Sequence, residues 1–232
     1  SMIEVPTCNW GHDLNSFADH LEKNTRVIFI ANPNNPTGTY NSHDEVYSLL
    51  KKVPSSVLVV LDCAYFEYVT KEDYVKPIDL LSEFDNLLIT KTFSKIHGLA
   101  SIRVGYGIAH PTLIEVFNRI RQPFNVNTLA QAMAAVAIND HEHIHQSIEL
   151  NSQQYDFLFD QLSKLGLECI PSVGNFITFK GNFIGKEMFN NLMKKGVIVR
   201  SVDLYDMKDF IRVTIGTEAE NLKFLNALKE LL

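Results

Sequence analysis

Cysteine is scarce and scattered in this chain. There are three, Cys8, Cys63 and Cys169, an odd number with no C-x-x-C or other metal-ligand spacing. That excludes a disulfide framework and a cysteine-rich zinc site, and a reducing, cytoplasmic setting is expected. Long hydrophobic runs are missing too: no apolar stretch approaches the length that spans a bilayer, and none reads as a signal peptide. Positive charge is in deficit. The net charge of −6 argues against nucleic acid as the main partner. Neither internal repeats nor low-complexity segments occur. What is present is ordinary globular composition, 46% hydrophobic and 21% charged, over 232 residues. That length suits one large domain or two modest ones. Ser1-Met2 reads as the scar of a cleaved tag, which would place the natural sequence from about Ile3 onward.

The first part of the chain alternates short apolar runs with helical patterns. "RVIFIA" (26–31), "VLVVLD" (57–62), "LLIT" (87–90) and "RVGYGIA" (103–109) read as buried strands, each short and bounded by turn residues. Helices are expected over 12–24, 42–53, 111–122 and 129–140. The last of these has Asn127 or Thr128 as its cap, and it is apolar all round, so burial is expected. Strands alternating with helices imply an α/β domain with a mainly parallel sheet. After residue 145 the texture changes. A polar helix with an apolar stripe, "SIELNSQQYDFLFDQLSKLG", closes at Gly166. Short strands follow in "LECIPS", "NFITFK", "VIVRSV" and "FIRVTIG", then a helix opened by a capping box of Thr217 and Glu220. Two domains are therefore expected, residues 1–145 and a smaller α+β domain, 146–232.

Chemistry-bearing residues cluster where the α/β strands end. The loop after the first strand, "ANPNNPTGTY", is a Pro/Asn/Gly-rich turn by composition. It also offers the Asn35 amide at the carboxyl end of a strand, where α/β sheets bind ligands. The second strand ends at Asp62, either a helix cap or a carboxylate in need of a cationic partner. Tyr65 follows three residues later. The third leads into "TKTFSKIHGLASIRVGYG" (90–107), in which Lys95 sits among hydroxyl groups and Arg103 lies eight residues on. Lys95 alone could be a solvated surface lysine. Three consecutive strands ending in Asn, Asp/Tyr and Lys are harder to ascribe to chance. Two further signals are weak. In "DHEHIHQ", His141 and His145 stand one helical turn apart with no third ligand, so a metal site is not expected. "GYG" (105–107) lacks the third glycine of a dinucleotide fingerprint and reads as strand.

Together, "NPNNPTG", "DCAYFEY" and "TFSK" with its following arginine resemble the fold-type I pyridoxal-phosphate aminotransferases. "RQPFNVNTLAQ" (121–131), "PSVGNFI" (171–177), "GVIVRS" (196–201) and "IRVTIGT" (211–217) are similar to the histidinol-phosphate branch of that family. The resemblance runs from about Asp13 to the C-terminus. It implies a large-domain portion plus a small domain, with pyridoxal 5′-phosphate as cofactor. Lys95 would be the Schiff-base lysine and proton carrier, and Asp62 would keep the pyridine nitrogen protonated. Asn35 and Tyr65 would bond the 3′-oxygen, while Thr92, Ser94 and Arg103 would grip the phosphate. Arg212, helped by Arg200 and Asn175, would hold the acidic end of the substrate: the carboxylate of glutamate or the phosphate of histidinol phosphate. Either arginine alone would read as a surface ion pair. The implied reaction is amino transfer between L-histidinol phosphate and 2-oxoglutarate in histidine biosynthesis, by a homodimer. Alternatives are an aromatic or broad-range aminotransferase, a threonine-phosphate decarboxylase, or a non-catalytic binding fragment.

The sequence departs from the family pattern at several points. Cys63 stands where an acidic residue is usual, Ser101 where glycine is, and Ser201 where proline is common. Only 31 residues precede Asn32, far fewer than in the family. The family's N-terminal arm, a phosphate-binding loop at a helix N-terminus and an aromatic that stacks on the cofactor ring are not found. The expectation is a truncated form with impaired activity. Its four large-domain strands should be sheet neighbours whose outer edges lie open.

Overall fold

The computed structural model describes residues 2–232; Ser1, and with it half of the expected tag scar, lies outside the described residues. The backbone divides into two compact units. One holds the residues up to Asn34 together with Tyr40–Ile144, the other Asn35–Thr39 together with His145–Leu232.

In the first unit a small hairpin, β1 (Thr7–Cys8) and β2 (Gly11–His12), leads into α1 (Leu14–Asp19). Asp13 caps α1 by accepting from the Ser16 amide. The expected helix over 12–24 is thus only six residues long. It stops because Glu22 and Thr25 bond each other's backbone and side chain, which turns the chain toward the next strand. Next come β3 (Val27–Ala31), α2 (His43–Lys52), β4 (Leu58–Asp62), α3 (Pro77–Leu80), β5 (Leu87–Thr92) and β6 (Gly105–Ala109). Ser42 and Glu45 form a capping box that starts α2.

The sheet order is β3-β4-β5-β6, with the first three strands parallel and β6 antiparallel to β5. Neighbours in sequence are neighbours in the sheet, and β3 and β6 form its two edges among the described residues. Ile28 and Ile30 of β3, Val59 and Leu61 of β4, and Leu87 and Ile89 of β5 share one core with Val46, Leu49 and Leu50 of α2. The strand read as buried, 26–31, is buried on this side only. Its alternate residues Val27 and Phe29 face outward, and Phe29 is 71% exposed. The period-2 geometry of a strand sends successive side chains to opposite faces, and only one face is covered here.

Two further helices complete this unit, α4 (Pro111–Ile120) and α5 (Thr128–Ala137), and α6 (His141–Lys164) starts in it. Asn127 caps α5 through its side-chain oxygen. The expected burial of α5 is overturned. Only Ala130 and Ala134 are buried, whereas Leu129 is 75% and Val136 is 72% exposed. An all-apolar surface signals burial only where a second element lies against each side. On its outward side α5 has none among the described residues.

The second unit begins within α6, which starts six residues before the expected helix and buries Leu158 and Leu162. It continues through β7 (Glu168–Ile170), β8 (Phe176–Lys180), α7 (Gly185–Lys194), β9 (Arg200–Ser201), β10 (Phe210–Thr214) and α8 (Glu218–Lys229). Its sheet is antiparallel throughout, in the order β7-β8-β10-β9. Leu158, Leu162, Ile177, Phe179, Leu192, Ile211, Leu225 and Leu228 form its core. The strand expected in "VIVRSV" contracts to Arg200–Ser201, because Val197 still bonds back to the last turn of α7. The expected boundary near residue 145 falls inside α6, and Asn35–Thr39 groups with the second unit although its flanks belong to the first.

Candidate active site

The carboxyl ends of β3, β4 and β5 lie side by side, since Ala31 pairs with Asp62 and Asp62 with Thr90. Asp62 is exposed at the end of β4, and its carboxylate accepts from the Ala64 amide at 3.0 Å. It neither caps a helix nor sits in an ion pair within 4 Å among the described residues, so neither structural reading offered for it applies. Water reaches the carboxylate and removes the need for a cationic neighbour. Tyr65, three residues on, is buried. The Lys95 ammonium lies over its ring, 5.1 Å from the centroid.

Behind Asp62 lie buried polar groups that carry no charge. Cys63 is fully buried, and burial pushes its thiol up to about 12. It lies in hydrogen-bond contact with Tyr74, whose own hydroxyl is held far above its usual range, chiefly by burial. Tyr74 donates to the Asn32 carbonyl. The Asn32 side chain donates to the Asn41 carbonyl and accepts from the Asn41 amide, both at 2.9 Å. These buried bonds fasten the two stems of the Pro/Asn-rich loop. The departure at Cys63 is thereby accommodated, because a thiol beside a phenol needs no counter-charge where a carboxylate would.

After β5 the chain bends sharply. Thr92 accepts from the Ser94 amide at 3.0 Å, and Ser94 accepts from the Arg103 guanidinium at 3.4 Å. Arg103 has a left-handed backbone, φ 57°, and also donates to the Ala100 carbonyl at 2.6 Å. The structure thus brings Thr92, Ser94, Lys95 and Arg103 onto one short bend, with Tyr65 against the lysine. Amine, hydroxyls, guanidinium and a nearby exposed carboxylate are the donor and acceptor set that pyridoxal phosphate requires: covalent anchor, dianion grip and partner for a ring cation.

The remaining candidates lie in the second unit. Arg212 on β10 stands opposite Thr178 of β8 on one side and Arg200 of β9 on the other. Its guanidinium sits over the Phe176 ring at 4.7 Å and donates to the Asn35 side-chain oxygen. Thr178 donates to the Pro36 carbonyl, and the Val173 amide donates to the Gly38 carbonyl at 2.9 Å. Gly38 is obligatory here. Its φ is 79°, and a Cβ would come within 2.0 Å of the Ser172 hydroxyl. Asn175 immediately precedes β8, and its carbonyl accepts from Ile215. Asn35, grouped with Asp62 and Tyr65 by sequence, therefore bonds Arg212 within the second unit.

Sequence reasoning overlooked His97 and left His143 without a role. His143 bonds the Ile96 carbonyl at 2.9 Å, and His97 packs on Phe93 with ring centroids 4.8 Å apart. The only signal for either was proximity to Lys95 in sequence or an unexplained histidine run. Among the described residues no three His, Cys, Asp or Glu side chains group as a metal site, nor is any helix long and apolar enough to cross a membrane.

The chain is 47% identical over 230 residues to a histidinol-phosphate aminotransferase of Caldicellulosiruptor saccharolyticus, covering 99% of this chain and 64% of the relative. It is 48% identical to one from Methylobacillus flagellatus, covering 100% and 62%. The chain thus spans less than two thirds of the length of these curated relatives. Among solved structures, the histidinol-phosphate aminotransferase of Sinorhizobium meliloti in complex with pyridoxal-5′-phosphate aligns with a TM-score of 0.90 and 24% identity. That alignment covers 99% of this chain and 65% of the other, and it supports the fold. The pattern of the aminotransferase class I and II family matches residues 1–228, and the chain belongs to that family.

Proposed function

We propose that the protein is a pyridoxal-phosphate-dependent histidinol-phosphate aminotransferase, transferring an amino group between L-histidinol phosphate and 2-oxoglutarate. The observation that carries this reading is the bend that joins Thr92, Ser94, Lys95 and Arg103 beside Tyr65. The 47% identity to named histidinol-phosphate aminotransferases supports the substrate assignment.

The residues divide the work as follows. Thr92 and Ser94 hydroxyls and the Arg103 guanidinium bind a phosphate dianion. Lys95 would hold the cofactor through Nζ and, once freed, would carry a proton to and from the substrate carbon. Asp62 would hold a proton on the ring nitrogen, and Asn35 and Tyr65 would bond the ring oxygen. When bound, pyridoxal phosphate supplies an electron sink for the negative charge that develops on that carbon. Arg212, with Arg200 beside it on the neighbouring strand and Asn175 close by in sequence to β8, binds the acidic end of either substrate. A guanidinium fork suits both carboxylate and phosphate.

The chain acts as a homodimer in the cytoplasm, on this reading. The outward apolar residues of α4 and α5, among them Ile120, Leu129 and Val136, support self-association. The three free cysteines support a reducing compartment.

The decisive experiment incubates the 232-residue chain with pyridoxal phosphate, reduces with borohydride and maps the adduct by mass spectrometry. A pyridoxyl group on Lys95, absent after Lys95→Ala, is the expected result. Labelling spread over surface lysines would overturn the cofactor reading. Histidinol phosphate or an aromatic amino acid, added to the cofactor-loaded protein before borohydride, then tests the substrate: the better one protects Lys95 from labelling at lower concentration, and stronger protection by an aromatic amino acid would favour the broad-range alternative.

A further inference from the structure

We propose that His143 and His97 form a reciprocal clasp that positions the Lys95 amine. The proposal rests on reading Lys95 as the covalent cofactor site. Lys95 occupies a loop, Phe93–Leu99, closed by its own backbone: the Leu99 amide donates to the Phe93 carbonyl and the Gly98 amide to the Lys95 carbonyl, each at 2.9 Å. Gly98 takes the left-handed conformation, φ 69°, that this turn needs. Such a loop is internally closed, yet it could still pivot as a body about its ends.

Two histidines tie it to the junction of α5 and α6. His143, in the first turn of α6, bonds the Ile96 carbonyl at 2.9 Å. A carbonyl only accepts, so Nε2 carries the hydrogen. The His143 backbone is itself held, its amide donating to Asp140 at 3.1 Å. From the loop side, His97 lies against the carbonyl of Ala137, the last residue of α5. Its ring packs at a tilt against Phe93, and its Nδ1 is buried without a partner. Of the two residues that follow Lys95, Ile96 is fastened to this junction by its carbonyl, and His97 lies against it by its side chain. The titratable groups that act electrostatically on His97 are Glu67, Lys91 and His143. Glu67 and Lys91 are satisfied in an ion pair of 2.6 Å, which leaves the histidines to hold the loop rather than to neutralise a charge.

Small displacements of a reacting group carry large rate penalties. Loss of the clasp should therefore slow covalent capture of pyridoxal phosphate at Lys95 without abolishing it. The test uses the whole chain as wild type, His143→Ala and His143→Gln, the glutamine amide being a donor of similar reach. Amide hydrogen exchange at Gly98 and Leu99 and the rate of borohydride-fixed labelling of Lys95 are measured in parallel. In His143→Ala both amides should exchange faster than in wild type, and labelling should slow on the order of tenfold. Both should return toward wild type in His143→Gln. Unchanged exchange in His143→Ala, or failure of glutamine to restore it, overturns the clasp. If wild type takes no label at Lys95, the cofactor reading fails, and exchange alone decides the clasp. Should His143→Ala lose its cooperative melting transition, the comparison of His143→Gln with a His97→Leu variant carries the same decision, with faster Gly98 and Leu99 exchange expected only in the latter.

Discussion

Two half-buried histidines in the first unit set an acid limit on its stability. Burial pushes both His12 and His97 below the ordinary imidazole value of 6.5. His12 Nε2 is buried without a partner, and its ring meets Phe17 edge-on at 5.8 Å. Because the folded pKa is depressed, the unfolded chain takes up protons first as pH falls. Stability is complete above about 6.5 and declines below it. Urea titrations should give a lower midpoint at pH 5.5 than at pH 7.5, and His12→Asn should flatten that difference. Equal midpoints at the two pH values would contradict the burial argument. The carboxylates held below their usual range, Asp13, Asp203 and Glu220, each chiefly by local hydrogen bonds, titrate at lower pH and do not confuse this window.

At the level of elements, local chemistry places starts and stops while packing decides which faces are covered. The Thr217–Glu220 capping box opens α8 as its sequence signature indicates. Thr217→Ala should cost about 1 kcal/mol, read as a shift in the denaturation midpoint. Gly185, the first residue of α7, illustrates a constraint of the other kind. A Cβ there would lie 2.2 Å from the Phe210 carbonyl oxygen, a backbone atom that cannot step aside. Gly185→Ala should therefore destabilise the second unit by roughly 1–3 kcal/mol, the cost of overpacking, despite alanine's better helix propensity. An unchanged melting temperature would show that α7 shifts freely against β10.

For the molecule as a whole, the exposed apolar side chains of the first unit are the dominant unsatisfied feature. Phe124 is 95% exposed and holds a left-handed backbone, and Leu129 and Val136 of α5 also face outward. Water contact at such a surface favours association. Sedimentation should show self-association that weakens when Leu129 and Val136 are both replaced by glutamate. A chain that is monomeric at all concentrations would contradict the proposed homodimer.

The sequence alone determined the alternation of strands and helices, the cap at Thr217, and the candidate-site words around Asp62, Lys95 and Arg212. Those depend on neighbours within a few residues, where periodicity, capping and motif spacing act. Tertiary structure decided the rest. It showed that α5 and one side of β3 lie uncovered, because an apolar pattern records what a surface prefers to touch and not whether anything is there. It ended α1 after six residues through the Glu22–Thr25 turn. It joined Asn35 to Arg212 across 177 positions of sequence, and it turned His143, one of an unexplained run, toward the carbonyl beside Lys95. Contacts of that range arise only when separate elements pack together, and no local pattern in the chain encodes them.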